Sequence, residues 1–492
     1  MQDGVAFEDH LSAPRGRGRL ASAAHFGAAG GAACGDLIRL AVRVEGDRVV
    51  EAGFDAHGCA AIRAAGSATV EMVEGQPLLQ AARLTPACVS EALGGLGPAH
   101  EHAGTFAADA LHRALGAAAA DGAPALAHSP GRTLVAMSGG VDSAVAAQIA
   151  LEAGHEVVAV TLELWADPAT DGERSCCSPQ ALTGARALAH RMGLPHVTLD
   201  LRARFRAEVV EDFLAEHAAG RTPNPCVRCN GMVRFEEMLA LAERLGAARL
   251  ATGHYARVEA DGEGPLLFFG DDPAKDQSYM LARLAPEQLS RLWFPLGRMR
   301  KPAVRELARS RDLPVADRRE SQDLCFLSGI GKQAFIGRHS PAAAAGEGEI
   351  VDPGGEVIGR HGGHERFTVG QRRGIGVAGA LPLYVLGTDP VANRVVVGEH
   401  SRLATTRVEL RDAALHRASV RVDAVKLRYR SQPVACRVEQ PAGRGAHARL
   451  GLTLGTAAHG IAPGQTACLL EGRRVVGVGT IAARPEEPAH AG

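Results

Sequence analysis

The feature that most limits the possible folds is a short apolar strand that leads directly into a glycine-containing loop and a helix. Residues 134–137 read LVAM, residues 138–143 read SGGVDS, and a helical pattern runs from Asp142 to Leu151. Adjacent glycines after a strand let backbone N–H groups surround an anion, and the helix start adds its dipole. The segment therefore predicts a phosphate-binding turn. It is neither a Walker loop nor a GxGxxG loop, because it lacks both the terminal Gly-Lys-Ser/Thr and the GxGxxG spacing.

Strand-like and helix-like segments alternate after this loop. Strands are predicted at residues 157–162, 196–199 and 249–252, and helices at 179–192, 203–219 and 232–245. Such alternation predicts an α/β fold with a doubly wound parallel sheet. From about Gly346, short Val-rich runs broken by Gly and Pro predict small all-β domains.

The N-terminal part is predicted to be a separate α+β domain, with a hairpin at residues 42–54 and a helix at 60–74. The low-complexity stretch LGAAAADGAPALAHSP, residues 115–130, shows no periodicity and is predicted to be a linker. The predicted division is therefore a domain at 1–115, a linker at 116–130, the α/β domain at 131–345, β domains at 346–404 and 405–484, and a tail at 485–492.

Charge and hydropathy narrow the choice of partner and compartment. The 492 residues carry 54 Lys and Arg against 55 Asp and Glu, so no overall basic field indicates a nucleic-acid partner. A local basic run from Arg291 to Arg319 predicts either an RNA contact or a solvated helical face. Apolar runs are too short for a membrane span and no signal-peptide core is present, so we expect a cytoplasmic protein that does not bind a membrane.

The chain has ten cysteines, which in a cytoplasmic protein suggest metal binding or catalysis rather than a disulfide framework. Residues 221–230 read RTPNPCVRCN, and the two prolines predict an extended loop, with Asn230 capping a helix that begins near Met232. Cys229 would then lie at a helix N-terminus beside Arg228, a setting that favours thiolate. A second motif, SQDLCF, contains Cys325. Sulfur replacement needs two such thiols.

Cysteines without a partner at useful spacing are interpreted as small buried apolar residues, namely Cys88, Cys436 and Cys468.

The motifs resemble those of the tRNA-specific 2-thiouridylases, a family of PP-loop ATP pyrophosphatases, from about residue 134 to residue 481. The matching segments are AMSGGVDS (136–143), GRTPNPCVRCN (220–230), ATGHYARV (251–258), KDQSYML (275–281), SQDLCFL (321–327), FTVGQRRGIG (367–376), YVLGTDP (384–390), RYRSQP (428–433) and PGQTACLLEG (463–472). The resemblance implies ATP-dependent 2-thiolation of the wobble uridine of tRNA, in which adenylation turns the C2 oxygen into a leaving group.

The same resemblance implies roles for individual residues. ATP would contact Ala136, Met137, Ser138, Gly139, Gly140, Val141, Asp142, Ser143, Leu162 and Gly253, with the Asp142 carboxylate either binding Mg²⁺ or capping the helix. Cys229 would be the nucleophile and Cys325 the persulfide-bearing partner, with an alternate disulfide between them. The target base would lie among Asn224, Pro225 and Cys226, and tRNA would meet His254, Lys275, Asp276, Gln277, Arg428, Tyr429 and Gln465.

The resemblance also implies that the β domains hold the anticodon arm. A cysteine desulfurase or a sulfur relay protein would donate the sulfur.

One position departs from the family pattern, because many members have Asp where this chain has Cys226. The loop thus reads Cys-x-x-Cys, which leaves three hypotheses. The first is a labile [4Fe–4S] cluster on Cys226, Cys229 and Cys325 that binds exogenous sulfide. The second is persulfide and disulfide chemistry without a cluster. The third is a structural zinc site that recruits Cys176 or Cys177.

The N-terminal domain resembles the U-type iron–sulfur assembly scaffolds. Cys34, Asp36 and Cys59 match three cluster-site positions of that family, and His102 is a further candidate ligand. The family's third cysteine is absent, because Ala103 follows His102. A sulfur or cluster relay, a degenerate docking module and a zinc site remain as interpretations.

Two alternative functions for the whole chain are another PP-loop ATP-dependent ligase and an iron–sulfur carrier with a vestigial nucleotide site. The paired cysteine motifs do not suit the first alternative. The intact SGGVDS loop does not suit the second.

Overall fold

The computed structural model describes residues 3–19, 24–31, 35–122, 126–166, 179–318, 324–340, 346–379 and 381–483. The chain divides into two compact units. Unit 1 contains Met1–Ala203, Glu236–His254 and Arg291–Phe326, and unit 2 contains Arg204–Phe235, Tyr255–Ser290 and Leu327–Gly492. Within the described residues, no helix combines the length and the apolar character needed to cross a bilayer.

Unit 1 begins with an antiparallel sheet and its helices. In chain order the elements are α1 (Asp3–Ser12), β1 (His25–Gly30), β2 (Leu37–Glu45), β3 (Arg48–His57), α2 (Ala60–Val73), α3 (Leu78–Ala81), α4 (Pro86–Ala92) and α5 (Glu101–Ala120). The strands are ordered β1-β2-β3, and β2 and β3 form the predicted hairpin. The predicted helix at 60–74 is confirmed as α2.

The central part of the chain carries the parallel sheet. Its elements are β4 (Ser129–Ala136), α6 (Val141–Glu152), β5 (Glu156–Glu163), α7 (Pro179–Arg191), β6 (His196–Asp200), α8 (Arg202–Phe205), α9 (Glu211–Ala218), α10 (Pro225–Cys229), α11 (Phe235–Arg244), β7 (Ala247–Thr252), β8 (Ala256–Asp261), β9 (Gly264–Phe269), α12 (Pro286–Leu289), β10 (Leu292–Trp293) and α13 (Lys301–Ser310). Five of the strands form a parallel sheet of order β10-β7-β4-β5-β6. This confirms the predicted α/β class. A π-helical turn at Arg206–Val210 interrupts the predicted helix at 203–219.

Helix α5 belongs to both parts of unit 1, because it packs against β1 and β2 and also against β6. A Cβ at Gly27 in β1 would lie 2.0 Å from the Ala110 carbonyl oxygen, so this helix and the antiparallel sheet are in close contact. The prediction that residues 115–130 form a linker without regular structure was wrong for its ends, since α5 continues to Ala120 and β4 begins at Ser129. A helix enclosed on several sides needs small apolar residues all round, so it lacks an amphipathic period.

Unit 2 is mainly β-structure. Its remaining elements are α14 (Gly331–His339), β11 (Gly348–Val351), β12 (Val357–His361), β13 (Tyr384–Asp389), β14 (Arg394–Gly398), β15 (Ala404–Leu415), β16 (Ala424–Lys426), β17 (Val434–Val438), β18 (Gly445–His459), β19 (Thr466–Glu471) and β20 (Arg474–Ile481). One sheet has the order β12-β11-β14-β13. The other has the order β15-β18-β17-β16-β19-β20-β9-β8, and a β15–β20 pairing closes a barrel.

The hairpin β8–β9 lies between β7 and β10 in sequence, yet it pairs with β20 of the barrel. The Asp261 carboxylate in this hairpin accepts hydrogen bonds from Arg417, at 2.7 and 3.2 Å, and the Arg417 side chain is fully buried. The segment 131–345, predicted as one domain, is therefore divided between the two units.

Candidate functional site

The loop after β4 has the geometry of an anion-binding turn. Gly139 has a φ of +72°, a left-handed conformation that glycine adopts without strain. The Ser143 hydroxyl, in the first turn of α6, donates to the Gly140 carbonyl at 3.0 Å and accepts from the Ser138 amide at 3.2 Å. Gly140 is the N-cap of α6 and has no side chain to occupy the first-turn N–H groups. The helix start therefore presents backbone donors toward the loop.

The loop lies where the strand order of the parallel sheet reverses. Strand β4 has β5 on one side and β7 on the other, so the chain extends the sheet in opposite directions from β4. Open α/β sheets bind ligands at such switch points, beyond the carboxyl ends of the strands. Ala136, Leu162 and Gly253 lie at or just beyond these ends of β4, β5 and β7. The structure thus gathers the residues predicted to contact ATP along one edge.

Gly253 is required by a close approach of two backbones. A Cβ at this position would lie 2.6 Å from the carbonyl carbon of Asp142 and 2.7 Å from the amide nitrogen of Ser143. Real Cβ atoms do not come so close to backbone atoms, so any other residue would push the segment after β7 away from α6. Gly253 therefore fixes the shape of the phosphate loop.

Two basic side chains at this loop were not predicted to be there. Lys301, the first residue of α13, donates to both carboxylate oxygens of Asp142 at 2.7 Å. Arg318 donates to the carbonyl oxygen of Gly139 at 2.9 Å. Both residues belong to the basic run from Arg291 to Arg319. Asp142 and Gly139 precede them by more than 150 positions in the sequence, so no local pattern reveals the contacts.

Much of the remaining basic run pairs with acids of unit 1. Arg309 lies 2.8 Å from Asp317, and Arg311 pairs with Glu152 at the end of α6. The contacts of Lys301 and Arg318 with the phosphate loop differ from a purely solvated face, and the RNA contact of the basic run stays a prediction.

The Cys-x-x-Cys segment is helical, which corrects the predicted extended loop. Asn224 is the N-cap of α10, and its side-chain oxygen accepts from the Val227 amide at 3.2 Å. Pro225 occupies the first helical position, where its fixed φ and missing N–H are favourable. The predicted cap, Asn230, begins a π-helical turn at Asn230–Arg234 and donates through its side chain to the Met280 carbonyl at 3.1 Å.

The two cysteines of α10 are three positions apart and therefore lie on one helix face. Cys226 is in the first turn and is partly exposed, whereas Cys229 is one turn further on and 5% exposed. Arg228 pairs with Asp212 at 3.2 Å and Glu208 at 3.5 Å, so its charge is offset by two carboxylates. The helix start predicted beside Cys229 therefore lies beside Cys226 instead, and the activation of Cys229 stays a prediction.

Residues predicted to surround the target base or to meet tRNA lie together in unit 2, except His254, which belongs to unit 1. The Gln465 amide donates to the carbonyls of Thr222, at 2.8 Å, and Pro223, at 3.2 Å, and so supports the segment before Asn224. Arg428 donates to the His459 carbonyl at 2.9 Å.

The KDQ segment also has structural contacts. The Asp276 carboxylate accepts from Ser278 at 2.9 Å, and the Gln277 side chain accepts from the Tyr255 amide at 2.9 Å. The hydroxyl of buried Tyr279 donates to the Thr466 carbonyl at 2.7 Å, and its ring lies 6.1 Å from that of Tyr429. Sequence reasoning missed Tyr279, although it lies within the matched segment 275–281. The tRNA roles of Lys275, Asp276, Gln277 and the other residues of this set remain predictions.

Some predicted site residues lie outside the described residues, namely Cys34, Cys176 and Cys177. Cys325 is described, is partly exposed and belongs to unit 1, whereas Cys226 and Cys229 belong to unit 2. Phe326, next to Cys325, is buried against Trp165.

A second cluster lies in the N-terminal part of unit 1. The Asp36 carboxylate is 2.7 Å from His102 Nε2 and 3.0 Å from Cys59 Sγ, and the sulfur and the nitrogen are 3.9 Å apart. Asp36 is 3% exposed, and Cys59 and His102 are partly exposed. One carboxylate, one thiol and one imidazole at these distances fit the donor set of a zinc or iron ion.

The cluster perturbs its own acid–base behaviour. Burial tends to raise the pKa of Asp36, but hydrogen bonds from Cys59 and His102 and the nearby imidazole charge bring that pKa below its ordinary value. Burial, followed by the hydrogen bond to Asp36, raises the pKa of the Cys59 thiol. Without a metal, these shifts favour an ionised Asp36 carboxylate beside a protonated Cys59 thiol.

Together, the phosphate loop at the switch point of a parallel sheet and the Asp36–Cys59–His102 cluster define a class: a PP-loop ATP-utilising protein joined to an iron–sulfur scaffold-like domain. Four family descriptions match in order: a NifU-like N terminal domain at residues 4–120, a tRNA methyl transferase HUP domain at 131–329, a tRNA methyl transferase PRC-barrel domain at 333–399 and an aminomethyltransferase beta-barrel domain at 402–481.

Similar proteins cover both parts of the chain. The "Bifunctional protein NifU/MnmA" of Rubrobacter xylanophilus is 45% identical over 489 residues, which is 97% of this chain and 98% of that protein. A "tRNA-specific 2-thiouridylase MnmA" of Geobacter metallireducens is 43% identical over 72% of this chain and 98% of its own length. The corresponding protein of Rhodospirillum centenum is 43% identical over 73% of this chain and 93% of its own length. The chain belongs to the family of bifunctional NifU/MnmA proteins, which confirms both resemblances.

Proposed function

We propose that the chain is a tRNA sulfurtransferase that replaces the C2 oxygen of the wobble uridine with sulfur in an ATP-dependent reaction. Its membership in a family whose relatives are named tRNA-specific 2-thiouridylases supports this, together with an intact phosphate loop. We place the reaction in the cytoplasm, where both tRNA and ATP are found.

The first chemical step is adenylation. The C2 oxygen of the uridine attacks the α-phosphorus of ATP, the bond to the β-phosphate oxygen breaks, and pyrophosphate leaves with the electron pair. The N–H groups at the start of α6, together with Ser138 and Ser143, bind the phosphates. The Asp142 carboxylate, partly exposed at the mouth of the loop, suits a hard cation such as Mg²⁺, which would neutralise phosphate charge.

The second step transfers sulfur. A persulfide on Cys325 attacks C2 and AMP departs, after which the Cys229 thiolate attacks the Cys325 sulfur and releases 2-thiouridine. The two cysteines supply two electrons and become a disulfide, which a thiol reductant then reduces. A partner such as a cysteine desulfurase or a sulfur relay protein loads the persulfide.

A second candidate route uses a [4Fe–4S] cluster that binds sulfide. Cys226 and Cys229 lie on one face of α10, which suits two of its three ligands, and Cys325 would be the third. Anaerobic purification followed by iron analysis and UV–visible spectroscopy separates the two routes. Colourless, iron-free and fully active enzyme rejects the cluster, whereas activity that follows iron content rejects the persulfide route.

For the N-terminal domain we infer that Asp36, Cys59 and His102, joined by Cys34, hold a metal ion or a transient cluster and pass sulfur to the catalytic part. The convergence of the three described side chains supports this. If the inference is correct, Cys59→Ser loses thiolation driven by a desulfurase and keeps thiolation driven by a low-molecular-weight persulfide, which transfers its outer sulfur to the Cys325 thiolate and leaves as a thiol. If Cys59→Ser is equally active with both sulfur sources, the proposed sulfur relay through the N-terminal domain is wrong.

The main experiment measures two products with purified full-length protein, ATP and unmodified tRNA. We expect tRNA-dependent pyrophosphate release and 2-thiouridine at the wobble position, detected by mass spectrometry of nuclease fragments. Pyrophosphate release that does not require tRNA would favour another ligase. Absence of ATP turnover would favour an iron–sulfur carrier.

A further inference from the structure

The phosphate loop contains no cation of its own. Residues 138–143, SGGVDS, include neither Lys nor Arg, whereas the phosphate loops of Walker type end in Gly-Lys-Ser/Thr. ATP carries several negative charges, and cleavage between the α- and β-phosphates concentrates further charge on the pyrophosphate oxygen that leaves. A site that performs this cleavage needs a positive charge near that oxygen.

Lys301 brings a positive charge to this loop from 159 positions downstream. Its Nζ lies 2.7 Å from each carboxylate oxygen of Asp142, and its side chain is 9% exposed while that of Asp142 is 31% exposed. A lysine rarely becomes so buried unless it is paired. The pair therefore keeps an ammonium group at the start of α6, beside the turn that presents its N–H groups.

The position of Lys301 is fixed by its helix. Lys301 is the first residue of α13, Pro302 follows it within the first turn, and α13 packs against α6. A residue at the start of a helix held in this way has little freedom apart from its own side-chain torsions. Its flexible four-carbon stem lets the ammonium move by a few ångströms without moving the helix.

We propose that Lys301 is a catalytic residue of adenylation that exchanges the Asp142 carboxylate for the pyrophosphate leaving group. The proposal rests on the adenylation step of the proposed function. When ATP enters, the phosphates compete for the ammonium, and Asp142 is left to meet the cation that accompanies ATP. As the bond between the α-phosphorus and the bridging oxygen breaks, the electron pair stays on pyrophosphate, and the Lys301 ammonium neutralises it without giving up a proton.

The alternative is that Lys301 only ties α13 to α6. The chain offers a matched control, because Arg311, just after the other end of α13, pairs with Glu152 at the end of α6. Arg311→Gln removes a cation that links the same two helices away from the phosphate loop. Lys301→Gln removes the cation at the loop, and Lys301→Arg keeps the charge with a different shape.

The test compares tRNA-dependent pyrophosphate release by the full-length wild type and the three variants, with melting temperature measured in parallel. We expect Lys301→Gln to lower kcat by about 100- to 1,000-fold, the range found when one transition-state donor is lost. Lys301→Arg should recover part of this loss, and Arg311→Gln should match the wild type. A purely structural role predicts instead that Lys301→Gln and Arg311→Gln each lose pyrophosphate release only in proportion to the fall in their melting temperatures.

A leaving-group series gives a readout that a structural role would not change. ATP analogues with a β,γ-methylene or a β,γ-difluoromethylene bridge release pyrophosphate analogues of different basicity. If Lys301 neutralises the leaving oxygen, the rate of Lys301→Gln depends more steeply on that basicity than the wild-type rate does. Equal slopes would overturn the proposal for Lys301. A wild type that releases no pyrophosphate with tRNA would instead overturn the proposed function.

Discussion

Gly116 in α5 and Thr198 in β6 lie so close that a Cβ on Gly116 would stand 1.9 Å from the Thr198 carbonyl oxygen. This contact joins the N-terminal part of unit 1 to the edge strand of its parallel sheet. Next to it, Arg186 pairs with Asp109 of α5, and Arg113 of α5 pairs with Glu163 of β5. The two parts of unit 1 are therefore held by close backbone packing and by partly buried ion pairs.

Gly116→Ala should weaken this contact. The added methyl group meets backbone atoms that cannot move aside, so we expect a loss of about 1–3 kcal/mol in the free energy of unfolding. Urea unfolding of the full chain would measure it. Gly337→Ala is the control, because Gly337 lies in α14 and a methyl group added there would meet no atom within 4 Å. That change should be neutral or stabilising by up to about 1 kcal/mol, and equal losses in both variants would contradict the packing argument.

Acidification should destabilise unit 1 through a buried histidine cluster. The rings of His112 and His190 are 4.9 Å apart, and His196 lies 5.6 Å from His112. Burial, followed by the charge of Arg186, lowers the pKa of His190 to about 4. Below the ordinary histidine pKa of about 6.5 the unfolded chain binds a proton that the folded chain refuses, so stability falls as the pH decreases from about 6.5 toward 4.

The measurement is the free energy of unfolding at pH 7 and pH 5. From its pKa, His190 accounts for about 2 kcal/mol of the loss between these values. His190→Gln should reduce the loss by about that amount, whereas His128→Gln, at an exposed position, should leave it unchanged. A pH dependence that is the same in both variants would show that His190 is not a source of the acid sensitivity.

The two thiols of the proposed sulfur transfer should be separable from adenylation. Cys229→Ser and Cys325→Ser should each abolish 2-thiouridine formation and retain tRNA-dependent pyrophosphate release, because neither thiol takes part in adenylation. Cys436 is the control, since burial and then nearby Asp423 raise the pKa of its thiol to about 12 and keep it protonated. Cys436→Ser should thiolate normally. Full thiolation by Cys325→Ser would refute its role as sulfur carrier.

Cys226→Asp addresses the cluster, because it removes one of the three thiolates that the cluster route requires. Retained thiolation would support the persulfide route, and loss of both iron and thiolation would support the cluster.

The hairpin β8–β9 should depend on one ion pair. Arg417 is fully buried and donates to Asp261, and this hydrogen bond holds the pKa of Asp261 well below its ordinary value. Asp261→Asn removes the carboxylate that accepts two hydrogen bonds from this buried guanidinium, and only Glu263, at 3.8 Å and largely exposed, remains as a counter-charge. We therefore expect a loss of about 3–5 kcal/mol in the stability of unit 2. Glu263→Gln removes a 57% exposed carboxylate that pairs with Arg421 at 2.9 Å and lies 3.8 Å from Arg417, and it should cost less than about 1 kcal/mol. Differential scanning calorimetry would compare the two variants. Similar losses of stability would show that the Asp261–Arg417 ion pair does not have a special role in holding the hairpin.

Features that depend on neighbours in sequence were predictable. The strand–loop–helix unit, the hairpin β2–β3 and helix α2 all carry local signals, and the structure has each of them. The helix at Pro225–Cys229 also carries a local signal, although its prolines predict an extended loop if they are treated only as helix breakers. Pro225 at the first helical position, capped by Asn224, is where proline favours a helix.

Features that depend on distant residues were not predictable. The contact between Lys301 and Asp142 spans 159 positions, and β9 pairs with a strand about 200 positions later. Nothing in a basic run distinguishes a lysine that reaches a phosphate loop from one that faces water. The membership of β8–β9 in the barrel is likewise set by strand pairing, which one sequence does not encode locally.

Because α5 packs against both the antiparallel sheet and β6, the two parts of unit 1 are difficult to produce as separate proteins. A shortened protein that starts after residue 125 would lack the helix that covers β6, and an uncovered edge strand invites aggregation. Aggregation or low activity of that fragment would then result from the exposed strand β6 and not from the loss of a sulfur-transfer function. The alanines and glycines of α5 also limit which substitutions can be tolerated, since a larger side chain would disturb the packing against either the antiparallel sheet or β6. The two halves of this gene product are thus expected to accumulate substitutions together at this helix.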